Sequence, residues 1–509
     1  LLPTINAFFL INPYMPLSAF RASSFPRTSV GYLIVLAHLL CACTPDLAPA
    51  PIAIGAPLAD KIEGPNILLI VADDLGWADL NCYGSYLIES SNIDRLARDG
   101  LQFMQGYAAA PGGSSSRASI QTGLYPARTG LTGELTKPAA NSRQKLIPPR
   151  TASGLAARFT TLGEVAKGAG YRTAHVGKWG LGGGKFSPEK QAYDVTYASG
   201  AQAFPESFYH PFFSGEPFPE LAADTEPGDY LTDALTDKTI DLMDDWAGDP
   251  WFISLNYYAP HVPIEGRKDW VNHYRDLIDS THRRAFPILE YAAMVSTLDE
   301  NVGRLLTHLE ASDQLENTLI IFVSDNGGLH VRADGNLGRY TPPTDNGILR
   351  GGKGHLHEGG IRVPFILHYP AGVAGTNASS TPVITNDILP TVAAAVGNPR
   401  AYNGADGVNL LPLLTGGTLP ARNLYWYFPH YSAQGGTPAA AVRSGNFKLY
   451  LDYENDSTTY YNLATFPDES LMLATPPERP PPSKSPGLDA RNRREKPQEE
   501  KLTHPRPIV

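Results

Sequence analysis

Three short runs of uninterrupted apolar residues stand out along the chain: NILLIV at 66–71, WFISL at 251–255 and TLIIFVS at 318–324. Runs of this length, without polar alternation, predict central strands of a sheet covered on both faces. The first gives way to Asp73-Asp74 and the last to Asp325-Asn326. Between the runs the period changes. Within 288–309, Val295, Leu298, Val302, Leu305 and Leu309 recur at alternating spacings of three and four, which is one face of a helix. Shorter helices are predicted over 93–100 (IDRLARDG) and 161–169 (TLGEVAKGA), both closed by glycine. Strands alternating with helices predict an α/β fold with a mainly parallel sheet. Such sheets collect ligands at the carboxyl ends of their strands, where the acidic pairs sit.

The pattern changes towards both termini. LYWYF at 424–428 and FKLYLDY at 447–453 predict a smaller, partly antiparallel C-terminal subdomain over 401–474. Residues 475–509, dominated by Pro, Lys, Arg and Glu, are expected to be disordered. Near the other end, Arg21 and Arg27 precede the apolar run VGYLIVLAHLL at 30–40, too short to span a bilayer and suited to an export signal. It ends in Leu40-Cys41-Ala42-Cys43, similar to a bacterial lipobox with Cys43 as the lipidated residue. The expected order is signal peptide and lipobox over 1–43, a Pro/Ala-rich tether over 44–63, a catalytic domain over 64–400, the C-terminal subdomain and the tail. This predicts an exported bacterial protein, periplasmic or an outer-membrane lipoprotein, with membrane anchoring by lipid at Cys43. Signal removal leaves Cys43 and Cys82, and acylation of Cys43 leaves no intramolecular disulfide.

Composition narrows the chemistry. A net charge of −10 argues against a nucleic-acid partner, which needs a basic face, yet leaves room for a local cationic pocket. Asp73, Asp74, Asp325 and Asn326 are oxygen donors at two strand ends. They suit one hard divalent cation, Ca²⁺ with Mg²⁺ as the second option, because no Cys or His is supplied. For either pair alone, capping of a turn is the competing explanation. Lys353 follows glycines, but no Ser or Thr comes after it, which argues against a phosphate-binding P-loop.

The stretch YAAAPGGSSSRASIQTGLYPARTG at 107–130 closely resembles the signature of the sulfatase family, in which C-x-P-S-R or S-x-P-S-R opens a helix that ends in a T-G turn. Further strings similar to sulfatase motifs follow in order across roughly residues 64–474: VADDLGWADL, SSNIDRLARDG, HVGKWGLGG, YYAPHVP, FVSDNGG, LRGGKGHLHEGGIRVP, NDILPTVAAAVG and DGVNLLPLL. The resemblance implies an alkaline-phosphatase-like α/β sandwich with a large, mainly parallel central sheet, a bound Ca²⁺ and hydrolysis of sulfate esters. The substrate it implies is an aryl sulfate or, for an exported bacterial lipoprotein, a sulfated carbohydrate. By position it makes Asp73, Asp74, Asp325 and Asn326 metal ligands. It makes Lys178, His261 and Lys353 the sulfate-holding residues and gives Arg117 the task of steadying the nucleophile. Fixed cations and a metal stabilise the charge that develops as an S–O bond breaks, and a histidine can protonate the leaving alkoxide.

Two residues depart from the family pattern. Gly113 occupies the position of the family's cysteine, which is matured to formylglycine. Glycine has no side-chain carbon to oxidise, so formylglycine is not encodable here. Ser114 is one residue away, a displacement of about 3.8 Å along the backbone, which is large for in-line attack. The second departure is Gly180, where many relatives carry histidine. Three outcomes follow: a working sulfatase in which residue 113 is misread or stands for a modified residue, a catalytically silent homologue that binds sulfated glycans, or a phosphoesterase using Ser114. The loop 204–226 is rich in Pro and aromatics, which suits a substrate rim or a packed surface loop equally.

Overall fold

A computed structural model describes residues 64–473 apart from 136–143, 282–287, 332–341, 373–377 and 403, together with 506–507. The expected signal and lipobox, the tether and all of the tail except 506–507 lie outside the described residues.

The chain is built around an eight-stranded sheet. In chain order its strands are β1 Asn66–Ala72, β2 Leu101–Phe103, β3 Arg172–Gly177, β4 Val195–Tyr197, β5 Trp251–Asn256, β6 Thr318–Ser324, β7 Phe365–His368 and β8 Ala378–Ser379. Across the sheet they run β8-β2-β7-β6-β1-β5-β3-β4. Every pairing is parallel except those of β7, which is antiparallel to both neighbours. The three apolar runs of the sequence are β1, β5 and β6, and they lie side by side at the centre.

Their unbroken apolar character has a direct cause. In β1 the side chains alternate between two cores: Leu68, Ile70 and Ala72 enter one, Ile67, Leu69 and Val71 the other. The first core is closed by the helices α4 (Leu231–Asp245) and α6 (Leu289–Ala311), through Leu235, Met243, Leu298, Val302 and Leu305. The second is closed by α2 (Gly113–Thr122), α3 (Leu162–Gly168) and α7 (Ile388–Ala395), through Ile120, Val165 and Val392. Neither face of the strand meets water, so no polar alternation is possible. The remaining helices of the set are α1 (Ser91–Asp99) and α5 (Lys268–Thr281).

Helix boundaries follow local chemistry. Thr161 caps α3 by accepting from the Glu164 N–H, and the Glu164 carboxylate accepts from the Thr161 N–H in return. Beyond the main body, β9 Asn423–Phe428, β10 Ala439–Ser444, β11 Phe447–Asp452 and β12 Ser457–Asn462 form an antiparallel sheet. Its inner face packs Trp426, Phe428 and Tyr450 with Tyr107, Leu356 and Ile361 of the main body, forming a shared third core.

Candidate active site

Strand register brings the predicted residues together. Ala72 pairs with Ser324, so β1 and β6 end side by side and release Asp73-Asp74 and Asp325-Asn326 as neighbours. The Asp325 N–H donates to Ala72 O at 3.1 Å, and the Asp74 N–H to Asp325 Oδ1 at 3.2 Å. On the other flank Gly177 pairs with Asn256, so β3 delivers Lys178 and the segment after β5 delivers His261 to the same edge. Four adjacent strands thus open onto one site, at their carboxyl ends.

Arg117 enters from α2. Its Nε donates to Asp325 Oδ2 at 2.8 Å and its Nη1 to Asn256 Oδ1 at 3.0 Å and Lys178 O at 3.1 Å. Lys178 Nζ donates to Asp73 Oδ2 at 2.6 Å, and Lys353 Nζ lies 2.8 Å from both oxygens of Asp74. Asn326 Nδ2 donates to Asp74 Oδ1 at 2.7 Å. All these side chains are buried. Asp74 holds a φ of +65°, a backbone conformation that disfavours a side chain, and such strain gathers at functional sites.

Burial pushes the carboxyl of Asp73 up, but Lys178, His261 and Arg117 outweigh it and hold the group below its ordinary value. Asp74 follows the same pattern, with Lys353 and His261 overcoming burial. In Asp325 burial wins over Arg117 and the value is raised. Burial lowers His261, and the Lys353 charge lowers it further, which favours the neutral ring. His261 Nδ1 faces Val262 O at 2.9 Å. A carbonyl only accepts, so Nδ1 carries a proton, and in the neutral ring the Nε2 lone pair lies 3.6 Å from Asp74 Oδ2, an arrangement that suits a cation between them.

That lone pair changes the donor set for a cation. Among the described residues, Asp73, Asp74 and His261 each offer one ligand atom within 4.8 Å of the others. Asp73 Oδ1 and Asn326 Oδ1 are buried acceptors without a hydrogen-bond donor. Two orphaned oxygens beside a carboxylate pair fit a hard divalent cation. The four residues proposed from sequence for the metal are therefore adjacent, and His261 joins them.

Gly113 is the first residue of α2. A Cβ built on it would lie 3.1 Å from Asp325 Oδ2, 3.9 Å from Asn326 Oδ1 and 4.0 Å from Arg117 Nε. The missing side chain would therefore project into the carboxylate and guanidinium cluster. Ser114 is engaged elsewhere: its hydroxyl donates to Glu134 Oε2 at 3.0 Å, and its N–H to the same oxygen at 3.3 Å. Gly180 has a φ of +68°, and a Cβ there would meet Arg117 Cδ at 3.3 Å, so a histidine would need a local rearrangement.

The site opens into a cavity of about 620 Å³. Its walls include Gly113, Lys353, Glu134, Arg150, Phe204 and the loop 428–434 that follows β9. Glu134, Asn256 and Arg150 belong to no motif, and no signal in one sequence would have found them. The loop 204–226 divides: Phe208, Phe212, Phe213 and Phe218 are core residues, whereas Phe204 is 47% exposed on the cavity.

The family model described as Sulfatase matches residues 65–398. The chain belongs to the sulfatase family. Human arylsulfatase A is 31% identical over 468 residues, covering 86% of this chain and 84% of that protein. Human N-acetylgalactosamine-6-sulfatase is 30% identical over 394 residues, covering 74% and 69%. The crystal structure of Ps i-CgsB in complex with k-i-k-neocarrahexaose superposes with a TM-score of 0.65 at 28% identity, covering 81% of this chain and 89% of that one. The fold is accordingly the alkaline-phosphatase-like sandwich, and this sulfatase-family chain belongs among sulfuric ester hydrolases.

Proposed function

We propose that the site binds sulfate esters of carbohydrates beside a calcium ion and is organised to hydrolyse them from a side chain at position 113. The direction of the Gly113 Cβ carries this reading: it points at Asp325, Asn326 and Arg117, a cradle kept although the side chain is gone. Asp73, Asp74, Asp325 and Asn326, with His261 Nε2, are the residues that would hold calcium. When bound, the ion would neutralise carboxylate charge and draw in a sulfate oxygen.

Charge balance supports a cation. Arg117, Lys178 and Lys353 are matched one for one by the buried carboxylates of Asp73, Asp74 and Asp325. The inner site therefore has no positive charge left over for a sulfate monoester until a divalent ion supplies it. Lys178 and Lys353 would then face the sulfate oxygens and stabilise the charge spreading over them as the S–O bond lengthens. Arg117, held on three sides, would fix the attacking side chain relative to sulfur. Gly113 supplies no attacking atom, so the chain with glycine holds the ester without cleaving it by this route.

Similarity to an N-acetylgalactosamine-6-sulfatase and to a protein crystallised with k-i-k-neocarrahexaose favours a sulfated sugar over an aryl sulfate. Export and anchoring at Cys43 belong to the same proposal, supported by the apolar run and the lipobox-like string. Calorimetry with galactose 6-sulfate and N-acetylgalactosamine 6-sulfate tests the binding reading. Binding is expected with calcium present, lost on chelation, and weakened at least tenfold in Lys353→Met. Equal binding with and without calcium would overturn the proposed site.

A further inference from the structure

The inner cations are all committed to carboxylates, but the cavity holds one cation of another kind. Arg150 is exposed on the cavity wall, and among the described residues it has neither a hydrogen-bond nor an ion-pair partner. A guanidinium stays charged at any ordinary pH, and its planar fork matches sulfate or carboxylate oxygens two at a time. Nothing among the described residues uses that fork.

A second feature of the same wall selects the ligand class. Phe204 is 47% exposed, and its ring stacks on the His261 imidazole with 5.6 Å between centroids and 19° between planes. An aromatic face fixed beside the site gives a pyranose ring an apolar surface to lie on. The cavity, at about 620 Å³, is larger than one sulfated pyranose. An aryl sulfate could use Phe204, but it carries no second anion for Arg150.

We propose that Arg150 is a specificity-determining residue that binds a second anionic group, sulfate or carboxylate, on the sugar next to the one whose sulfate sits at Lys178 and Lys353. The preferred ligand is then a polyanionic oligosaccharide rather than a monosulfated sugar. This rests on the sulfate-ester reading given above. Phe204 supports the ring between the two anionic ends.

The test uses the full chain as it stands, whose Gly113 lets ligands bind without turnover. Galacto- and gluco-configured disaccharides are titrated with calcium present in three forms: one sulfate, one sulfate on each ring, and one sulfate with a uronate on the second ring. Inorganic sulfate serves as the single-anion reference. At least one doubly charged form is expected to bind tenfold or more tightly than the monosulfated form, and to show the stronger loss as salt is raised. Arg150→Gln is expected to bring that form within about twofold of the monosulfated one. Arg150 is exposed, so the variant should fold, and an unchanged melting temperature checks this. Preference for the disulfated or the uronate form identifies which anion the guanidinium meets. Equal weakening of all probes by Arg150→Gln, or no effect of it, overturns the outer-anion assignment while leaving the inner site standing. If neither inorganic sulfate nor any disaccharide binds the wild type, the sulfate-ester reading fails and takes this assignment with it.

Discussion

Gly113 and Asp325 define the site at the scale of single residues. The carboxylate of Asp325 is buried, accepts from Arg117 and from the Asp74 N–H, and lies in the path of any side chain placed at 113. Removing it leaves the Arg117 guanidinium buried without its best partner, since Asp73 Oδ1 is 3.5 Å from Nη2. Losing one partner of a buried ion pair costs about 3–5 kcal/mol. Asp325→Ala is therefore expected to lower the unfolding free energy by that amount, seen as a lower denaturation midpoint, and to abolish calcium binding in the same preparation. Unchanged calcium affinity and an unchanged midpoint would remove Asp325 from the ligand set. Much of this cluster was legible in the sequence because two acidic pairs end apolar strands within strings that resemble family motifs, whereas either pair alone could have capped a turn. The proton position on His261 was not, since it depends on the Val262 carbonyl and on burial.

Elements were legible where burial coincides with an unbroken apolar or helical pattern. The runs at β1, β5 and β6 are apolar because both faces are covered. The helix expected over 288–309 runs as Leu289–Ala311, and those expected over 161–169 and 93–100 run as Leu162–Gly168 and Ser91–Asp99. Strand β3 was hidden because RTAHVG carries Thr173 and His175 inward. Their polar atoms are satisfied by Asp194 and Ser199, which no local pattern announces. The join between the antiparallel sheet and the main body was equally hidden. Lys448 on β11 donates to Glu358 at 3.0 Å and lies 2.9 Å from Glu469, with all three side chains buried. Burial pushes Glu469 up, but Lys448 and His357 overcome it and bring it down to about 2. An acid whose folded value is depressed stabilises the fold above its unfolded value, near 4.5, and loses that contribution as pH falls towards 2. Lys448→Met takes away the ammonium shared by the two buried carboxylates, leaving Glu358 with the Tyr107 hydroxyl and Glu469 with His357, and should cost about 3–5 kcal/mol at pH 7. Acidification should narrow the gap between variant and wild type, because protonation relieves the variant while it weakens the wild-type pair. Denaturant titrations at pH 7 and pH 4 measure both effects, and a gap that widens at pH 4 would contradict the assigned ion pairs.

On the scale of the whole molecule, the carboxyl ends of adjacent central strands gather Asp73, Asp74, Asp325 and Asn326, α2 brings Arg117 and residue 113, and the loop after β9 lines the cavity. The sulfatase family model spans residues 65–398, and within that span residue 113 is a glycine with no side chain to offer the cavity. A Cβ at 113 needs its neighbour Asp325 to give by only a few tenths of an ångström, a small strain for a site built from side chains that can move. The decisive measurement is turnover of an aryl sulfate and a sulfated-sugar panel by the protein and by its Gly113→Cys variant, both co-expressed with a formylglycine-generating enzyme. Hydrolysis is expected in the variant, with the glycine form at least about a thousandfold slower, as for the loss of an essential nucleophile. Comparable rates in the two proteins, or a matured variant that remains inactive on every ester, would contradict a sulfatase site silenced at residue 113.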